Sequence, residues 1–360
     1  MSDMIDVGDM ENISLGATVL GTGGGGDPYV GKLLAIEALR RHGPVRTIPL
    51  DALPDDAHVV TCGAMGAPTI VIEKIPSGEE LAKALRYYEA ASGRRVTAVI
   101  PFEIGGVNSC LPIAVAANLG LPLVDADGMG RAFPELQMCT FNVHGLDACP
   151  VVLADERGSL AMVETRSAAE AEGIARALCI RMGGQANVIS FPMTGKECRM
   201  SAVPATISLA RGIGRVMREA ASGRRNPLKA LIAHLATTHY GLAKRLGAGK
   251  ISDVARQFRN GWAIGTVTIA PFDGGEPFRL QVQNENLIVA RGGEVLASVP
   301  DLICLLDIDT AAPLPTERLR YGQRVNILGI RAPEILRSEA ALRIVGPRAF
   351  GLDHDYRMLA

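Results

Sequence analysis

The chain has 360 residues, 48% of them hydrophobic, with 37 Lys and Arg against 38 Asp and Glu, for a formal net charge of -1. That length and apolar share are enough for a large core and two domains of ordinary size, and the balanced charge supplies no field to hold nucleic acid or an anionic membrane surface. Seven cysteines form an odd set without a C-x-x-C pair and read as reduced thiols; the acidic start Met1-Ser-Asp-Met-Ile-Asp6 lacks the basic and apolar parts of a secretory signal. A cytoplasmic protein is expected. Ile104 to Val124 is uncharged, but with Asn108, Ser109, Asn118, two prolines and three glycines it makes a poor membrane span.

Asp9 to Leu20 carries Ile13, Gly16, Ala17 and Leu20 at helical spacing behind a possible Asp cap, so a helix is expected there. Gly21-Thr-Gly-Gly-Gly-Gly26 breaks it, and a second helix starts at Asp27-Pro28 and stops at Gly43. Strand-like pieces follow near Val45 to Leu50 and His58 to Cys62. Glu79 to Ala91 is amphipathic and leads into a buried strand at Arg95 to Ile100; Asn108 to Leu119 reads as a helix, and Leu121 to Asp125 as another strand. Strands separated by helices imply βαβ units and a mostly parallel or mixed sheet. Ligands of such sheets sit beyond the carboxyl ends of the strands. Three segments fit that place: Gly63-Ala-Met-Gly-Ala-Pro68, Pro101-Phe-Glu-Ile-Gly-Gly106, and Asp125-Ala-Asp-Gly-Met-Gly-Arg-Ala-Phe-Pro-Glu135.

Pro150 to Glu164 resembles a hairpin turning at Arg157-Gly158, and Ala168 to Met182 an Ala-rich helix; the first domain is placed at 1–167. Helices are expected at Ala205 to Ala221 and Pro227 to Leu246. Antiparallel hairpins follow from Trp262 to Leu306 around Asp273-Gly-Gly and Gly292-Gly293, with strand signals continuing to Ile344. The second domain, 168–360, is thus α+β, with a β-rich module at about 247–345. The basic pair Arg224-Arg225 reads as a solvated helix end.

Gly21-x-Gly23-x-x-Gly26 matches the dinucleotide fingerprint by letter, but that motif needs a strand before it and a helix stands there instead. A second account has the backbone N–H groups of Gly23, Gly24, Gly25 and Gly26 facing a substrate; a flexible turn is the third. Glu103, with Asn108, follows a strand end, where it is either a site carboxylate or a helix cap. Asp125 and Asp127 share a strand face by the two-residue period, which would raise the pKa of one of them and suit it to proton transfer; the competing account is an Asx-turn and a cap. Arg131 and Glu135, four apart, either serve a ligand or pair on a helix surface.

His144, in Asn142-Val-His-Gly, and His354, between Asp353 and Asp355, have the most suggestive neighbours. No G-x-S-x-G elbow and no close zinc-ligand pair is present, so no metal site is assigned and the cofactor is unknown, although Asp353-His354-Asp355 could supply one ligand. Cys62 and Cys110 are candidate nucleophiles with no histidine assignable to them by spacing.

Gly21-Thr-Gly-Gly-Gly-Gly-Asp-Pro28, Glu103-Ile-Gly-Gly106 and the run from Asp125 to Met138 together resemble the S-methyl-thiohydantoin desulfurase-like family, found with hydantoinase/oxoprolinase-type proteins. Val299 to Ile303 and Glu317 to Val325 look like its C-terminal domain, so the likeness covers nearly the whole chain. The resemblance implies an α/β N-terminal domain, a C-terminal domain with a β-rich swivelling module, and hydrolytic removal of a sulfur substituent from a five-membered cyclic ureide. It assigns no catalytic roles by residue.

Such chemistry needs a base, an acid and N–H donors. Asp125 or Asp127 is the expected base and Glu103 or His144 the acid. The glycine loop and Asn108 would be the donors, with Arg131 holding a substrate carboxylate and Glu135 also among the substrate-binding residues. The alternative is a non-catalytic subunit that binds a hydantoinase/oxoprolinase-type enzyme; a nucleotide-dependent enzyme is a third, weaker option. A homo-oligomer is compatible with the sequence.

Overall fold

The computed structural model describes residues 3–66, 70, 74, 76–259 and 262–360. Ala67 and Pro68, the end of one expected strand-end segment, lie outside the described residues, as do Met1 and Ser2. The first sheet runs in the order β1 (Met4–Ile5), β2 (Val45–Pro49), β5 (Leu123–Asp127), β4 (Ala98–Pro101), β3 (His58–Gly66), β8 (Gln185–Thr194), β6 (Val151–Ala154) and β7 (Leu160–Val163), with β9 (Val203–Pro204) pairing onto β5. Its four central strands, β2, β5, β4 and β3, are mutually parallel, and the pairs β1–β2, β3–β8, β8–β6 and β6–β7 are antiparallel. The sheet is therefore mixed, and the carboxyl ends of β3, β4 and β5 open on one edge.

The helices form where cap and period agree. Helix α1 (Met10–Leu20) buries Ile13, Gly16, Ala17 and Leu20. Helix α2 (Pro28–His42) begins with the Asp27 carboxylate accepting the Tyr29 N–H at 3.0 Å and ends at Gly43 with φ of 91°. Helix α3 spans Glu80–Ser92. Helix α4 (Leu111–Leu119) buries Leu111 through Ala117, which explains the uncharged stretch: it is an interior helix of the first domain. Further along come α5 (Thr140–Val143), α6 (Ala168–Arg181), α7 (Gly195–Ser201), α8 (Thr206–Ser222) and α9 (Pro227–Leu235). Helices α1 and α8 meet backbone to backbone, since a Cβ on Gly16 would overlap the Ala210 carbonyl and one on Gly214 that of Asn12.

The second sheet has seven strands, all antiparallel: β14 (Glu294–Ser298), β13 (Glu285–Arg291), β12 (Phe278–Gln283), β11 (Trp262–Pro271), β10 (Ala243–Arg259), β16 (Arg324–Ile330) and β15 (Leu302–Asp307). It has its own core, with Ile251, Val267, Phe278, Leu280, Val289, Ile303, Leu305 and Ile327 at its centre. The molecule is thus an α/β domain with a mixed sheet joined to a β-rich C-terminal domain. One expectation fails here: the helix starting at Pro227 stops at Leu235 rather than Leu246, and the chain re-enters as β10 from Ala243. Ala243, Lys244 and Arg245 pair with Ile330, Gly329 and Leu328 of β16, so tertiary pairing overrides a periodic pattern that crosses Gly241. A second expectation also fails: the strand signals drawn to Ile344 end with β16 at Ile330, and a helix, α10, spans Glu339–Val345 behind its Ser338 cap. No helix among the described residues is long and apolar enough to cross a membrane.

The two sheets are joined through the glycine run. Thr22 exchanges two 2.9 Å hydrogen bonds with the Ile303 backbone, the Asn286 N–H donates to the Thr22 carbonyl at 2.9 Å, and the Thr316 N–H donates to that of Gly23 at 2.8 Å.

Candidate active site

An open cleft lies where the ends of β3 and β4 meet the β12–β13 hairpin of the second domain. Its walls include Gly25 and Gly26, Gly63 to Gly66, Glu103, Asn108, Phe133 to Leu136, Glu172, Arg176, Asn284 and Glu285. The three segments expected beyond the strand ends thus share one cavity with the glycine loop, although not every residue singled out in them reaches it.

Glu103 is placed by the turn after β4. It is only 4% exposed, and both carboxylate oxygens are held: the Asn108 Nδ2 donates to Oε1 at 2.7 Å and the Phe133 N–H to Oε2 at 3.1 Å. Burial pushes its carboxyl up to about 8; the two donors and Arg131 oppose the rise, and Asp127 adds to it. Glu103 caps no helix; its hydrogen bonds run to a side-chain amide and a remote peptide. Asn108 is fully engaged. Its Oδ1 accepts the Ala64 N–H at 2.7 Å and its Nδ2 also reaches the Ala64 carbonyl at 3.2 Å, so it extends β3 as a strand partner would and positions Glu103.

Glu285 comes from the opposite wall. The β12–β13 turn pairs Gln283 with Glu285, leaving Asn284 alone at the tip with φ of 58°, a conformation Asn tolerates well. This aims the 2% exposed Glu285 side chain at the glycine loop. Burial drives its carboxyl well above the ordinary range and the charge of Glu103 adds to this, while Arg131 and the Gly25 N–H favour ionisation. Its Oε2 has no hydrogen-bond partner among the described residues.

Gly23, Gly24 and Gly25 follow from this arrangement. A Cβ on Gly24 would overlap the Glu285 carboxylate, and one on Gly25 or Gly106 would overlap the backbone of the other segment. Gly23 meets Asn286 and Thr316 in the same way. The run is a close-packed joint between domains whose Gly25 and Gly26 face the cleft, and no strand precedes it, so it has no dinucleotide-turn geometry.

Asp127 is wholly buried beneath the cleft and does not line it. Its Oδ2 accepts the N–H groups of Ile104 (3.0 Å), Met129 (3.1 Å) and Gly130 (2.8 Å), and burial still pushes the carboxyl up to about 7. Asp125 accepts the Ser208 N–H at 3.0 Å and the Ser208 hydroxyl, so it serves the first turn of α8. The two aspartates take separate partners. Arg131 and Glu135 share no helix, because the 128–139 segment is irregular. Arg131 is fully buried among backbone carbonyls, whereas Glu135 lines the cleft, bonded by the Gln137 amide and pushed up by burial and by Glu172.

His144 stands after α5 with Nδ1 2.8 Å from the Thr140 carbonyl, and it is not a cleft residue. His354 lies near the C-terminus, where Arg348 pairs with Asp355 at 2.6 Å and Asp353 at 3.7 Å. No group of three or more His, Cys, Asp or Glu among the described residues is arranged to hold a metal ion. All seven cysteines are buried free thiols; burial pushes Cys110 up to about 11 and Cys62 further, disfavouring the thiolate a nucleophile needs.

Family models for the S-Me-THD-like N-terminal domain and the S-Me-THD-like C-terminal domain match residues 8–165 and 166–359. The chain belongs to the S-Me-THD-like family. An X-ray structure of a protein from Chromobacterium violaceum, 23% identical, superposes with a TM-score of 0.83 over 99% of this chain and 100% of that one, which is a likeness of fold. No curated protein matches the chain.

Seen in this S-Me-THD-like chain, the site holds residues the sequence did not single out: Glu285 above all, then Asn284, Glu172 and Arg176. Glu172 accepts the Leu136 N–H at 2.9 Å and pairs with Arg176, which also donates to the Pro134 carbonyl at 3.2 Å, fixing the outer wall. A signal was present for Glu285. Gln283-Asn-Glu-Asn286 is four polar residues between two apolar strands where a two-residue turn would suffice.

Proposed function

We propose that this chain is a hydrolase of the desulfurase type, acting in the cleft on a hydantoin-like cyclic ureide that carries an S-methyl group. One observation carries this reading: two buried carboxyl groups, Glu103 and Glu285, enter one cavity from different domains, and both are held above the ordinary carboxylate range. Paired carboxyls of this kind divide acid and base roles between them. Membership of the S-Me-THD-like family supports the choice of substrate class.

Glu103 is the base. The Asn108 and Phe133 donors stabilise its carboxylate, so it loses its proton before Glu285, whose Oε2 has no such partner. The Glu103 carboxylate draws a proton from water as the oxygen attacks the ring carbon that bears sulfur. Neutral Glu285 protonates sulfur as the C–S bond breaks. The water oxygen becomes the ring carbonyl as Glu103 passes its proton to the ring nitrogen and the remaining hydroxyl proton returns to Glu285, so one water yields the ring N–H and methanethiol with both carboxyls restored. The roles expected of Asp125 and Asp127 pass to residues that face the cavity.

The test is thiol release from S-methyl-thiohydantoins by the purified chain, followed with a thiol reagent. Turnover that disappears in Glu285→Gln and Glu103→Gln supports the reading; binding of a hydantoin without turnover by the wild-type chain would replace it with that of a binding subunit.

A further inference from the structure

Arg131 is the largest of the fully buried side chains, and it reaches both walls of the cleft without lining it. Its Nε donates to the Ala132 carbonyl at 3.0 Å, Nη1 to the Pro300 and Asp301 carbonyls at 3.3 and 2.8 Å, and Nη2 to the Asn286 carbonyl at 3.3 Å. The guanidinium carbon also stands 4.7 Å over the Phe133 ring. Two of these acceptors adjoin the site. The Ala132 carbonyl belongs to the same peptide group as the Phe133 N–H that donates to Glu103, and Asn286 follows Glu285 in the chain.

We infer that Arg131 is a positioning residue for the carboxyl pair: it polarises the Ala132–Phe133 peptide toward Glu103 and locks the hairpin that carries Glu285. A cation on a peptide oxygen strengthens the hydrogen bond made by that peptide's N–H, and such chains of hydrogen bonds reinforce one another where the dielectric is low. Both bonds of the relay are formed, Arg131 Nε to oxygen and Phe133 N–H to carboxylate. The charged and titratable groups that act on Arg131 or feel its charge include Glu285, Asp301, Cys304, Glu103 and Tyr240. Of these, Asp301 is held by the Ala332 and Leu359 N–H groups and the Tyr356 hydroxyl, Cys304 donates to the Val19 carbonyl at 3.1 Å and the Tyr240 hydroxyl donates to the Gly130 carbonyl, so the two carboxyls are the ones that also face the cleft.

The catalytic meaning of this rests on Glu103 and Glu285 acting as base and acid, but its test needs no substrate, so a failure of either idea is seen separately. The full chain, labelled with 15N and with 13C at the glutamate carboxyls, is titrated from pH 6 to 9.5 by NMR. The Arg131 Nε–H and Phe133 amide signals are expected to move with the Glu103 midpoint, and that common step is expected to vanish in Glu103→Gln. In Arg131→Met the Glu103 midpoint rises by up to about one pH unit, the low end of the range for losing an opposite charge because Arg131 is the smallest of the influences on Glu103, and Arg131→Lys gives a smaller rise. A wild-type Arg131 Nε–H signal that shows no step through the Glu103 transition overturns the inference, whether or not the Arg131 variants fold. So does an Arg131→Met protein that folds and keeps the Glu103 midpoint.

Discussion

Glu103 follows β4 and Asp127 ends the neighbouring parallel strand β5; both are buried and both are pushed up by that burial, to about 8 and about 7. They differ in what surrounds their oxygens. Asp127 gathers three backbone N–H groups of its own and neighbouring loops on a single oxygen, and so holds the floor of the cleft together. Glu103 takes one side-chain and one backbone donor and keeps a wall on the cavity, opposite Glu285. A shifted carboxyl is thus a mark of burial first, and a candidate for chemistry only where a cavity reaches it.

The largest effect that sharpens this contrast is expected at the pair. Glu285→Gln and Glu103→Gln should each lower turnover by about 10²- to 10⁴-fold, the usual worth of a general acid or base, as read from initial rates of thiol release. Melting temperature should change little in Glu285→Gln. It should drop in Glu103→Gln, because both Glu103 oxygens accept and an amide offers only one acceptor. Asp127→Ala should do the reverse: three buried N–H groups lose their acceptor, at roughly 1–3 kcal/mol each, so stability measured by urea unfolding collapses before any kinetic effect can be read.

Gly24→Ala breaks the comparison from another direction. The new methyl occupies the place of the Glu285 carboxylate, which must swing away, so turnover should fall at least tenfold, about 1.4 kcal/mol in barrier, with a smaller change in stability.

A gentler effect concerns pH. Glu103 and Asp127 stand above their ordinary values of 4.5 and 3.8, so the folded chain holds protons that the unfolded chain has released. The stability they contribute is complete below about pH 4 and is lost as pH rises through 7 and 8. Melting temperature should therefore decline from pH 5 to pH 8.5, with Glu103→Gln flattening the upper part of that decline. Turnover should move oppositely, rising as Glu103 ionises near pH 8. The smallest effect is expected of Asp125→Asn, which keeps an acceptor for the Ser208 N–H and should cost about 1 kcal/mol or less.

Much of the first domain could be read in the sequence because its signals are local. Asp27-Pro28 and Gly43 delimit α2, and the apolar run near Leu123 makes a buried parallel strand. The 227–246 pattern misled because apolar spacing continues across Gly241 while strand pairing with Arg324–Ile330, some eighty residues on, decides the state of the chain from Ala243. The site divides in the same way. Glu103 and Gly25–Gly26 stood out beside strand ends and breaks, which local chemistry explains. Glu285 did not, because only the docking of the β12–β13 hairpin on the glycine run makes it a cleft residue. Arg131 stood out for the wrong reason: its charge was visible, but the carbonyls of residues 286, 300 and 301 that bury it come from the far half of the chain.

The placement of Glu285 on the hairpin tipped by Asn284 has a consequence for synthesis. A growing chain emerges from its N-terminus, and domains fold as units when their last strand is available. Strand β10, on which the β11–β12–β13 ribbon rests, finds its other neighbour only in Arg324–Ile330. On the proposed reading, Glu285 can join Glu103 only once Arg324–Ile330 has been made, so a chain truncated before that strand would hold the proposed base without its partner.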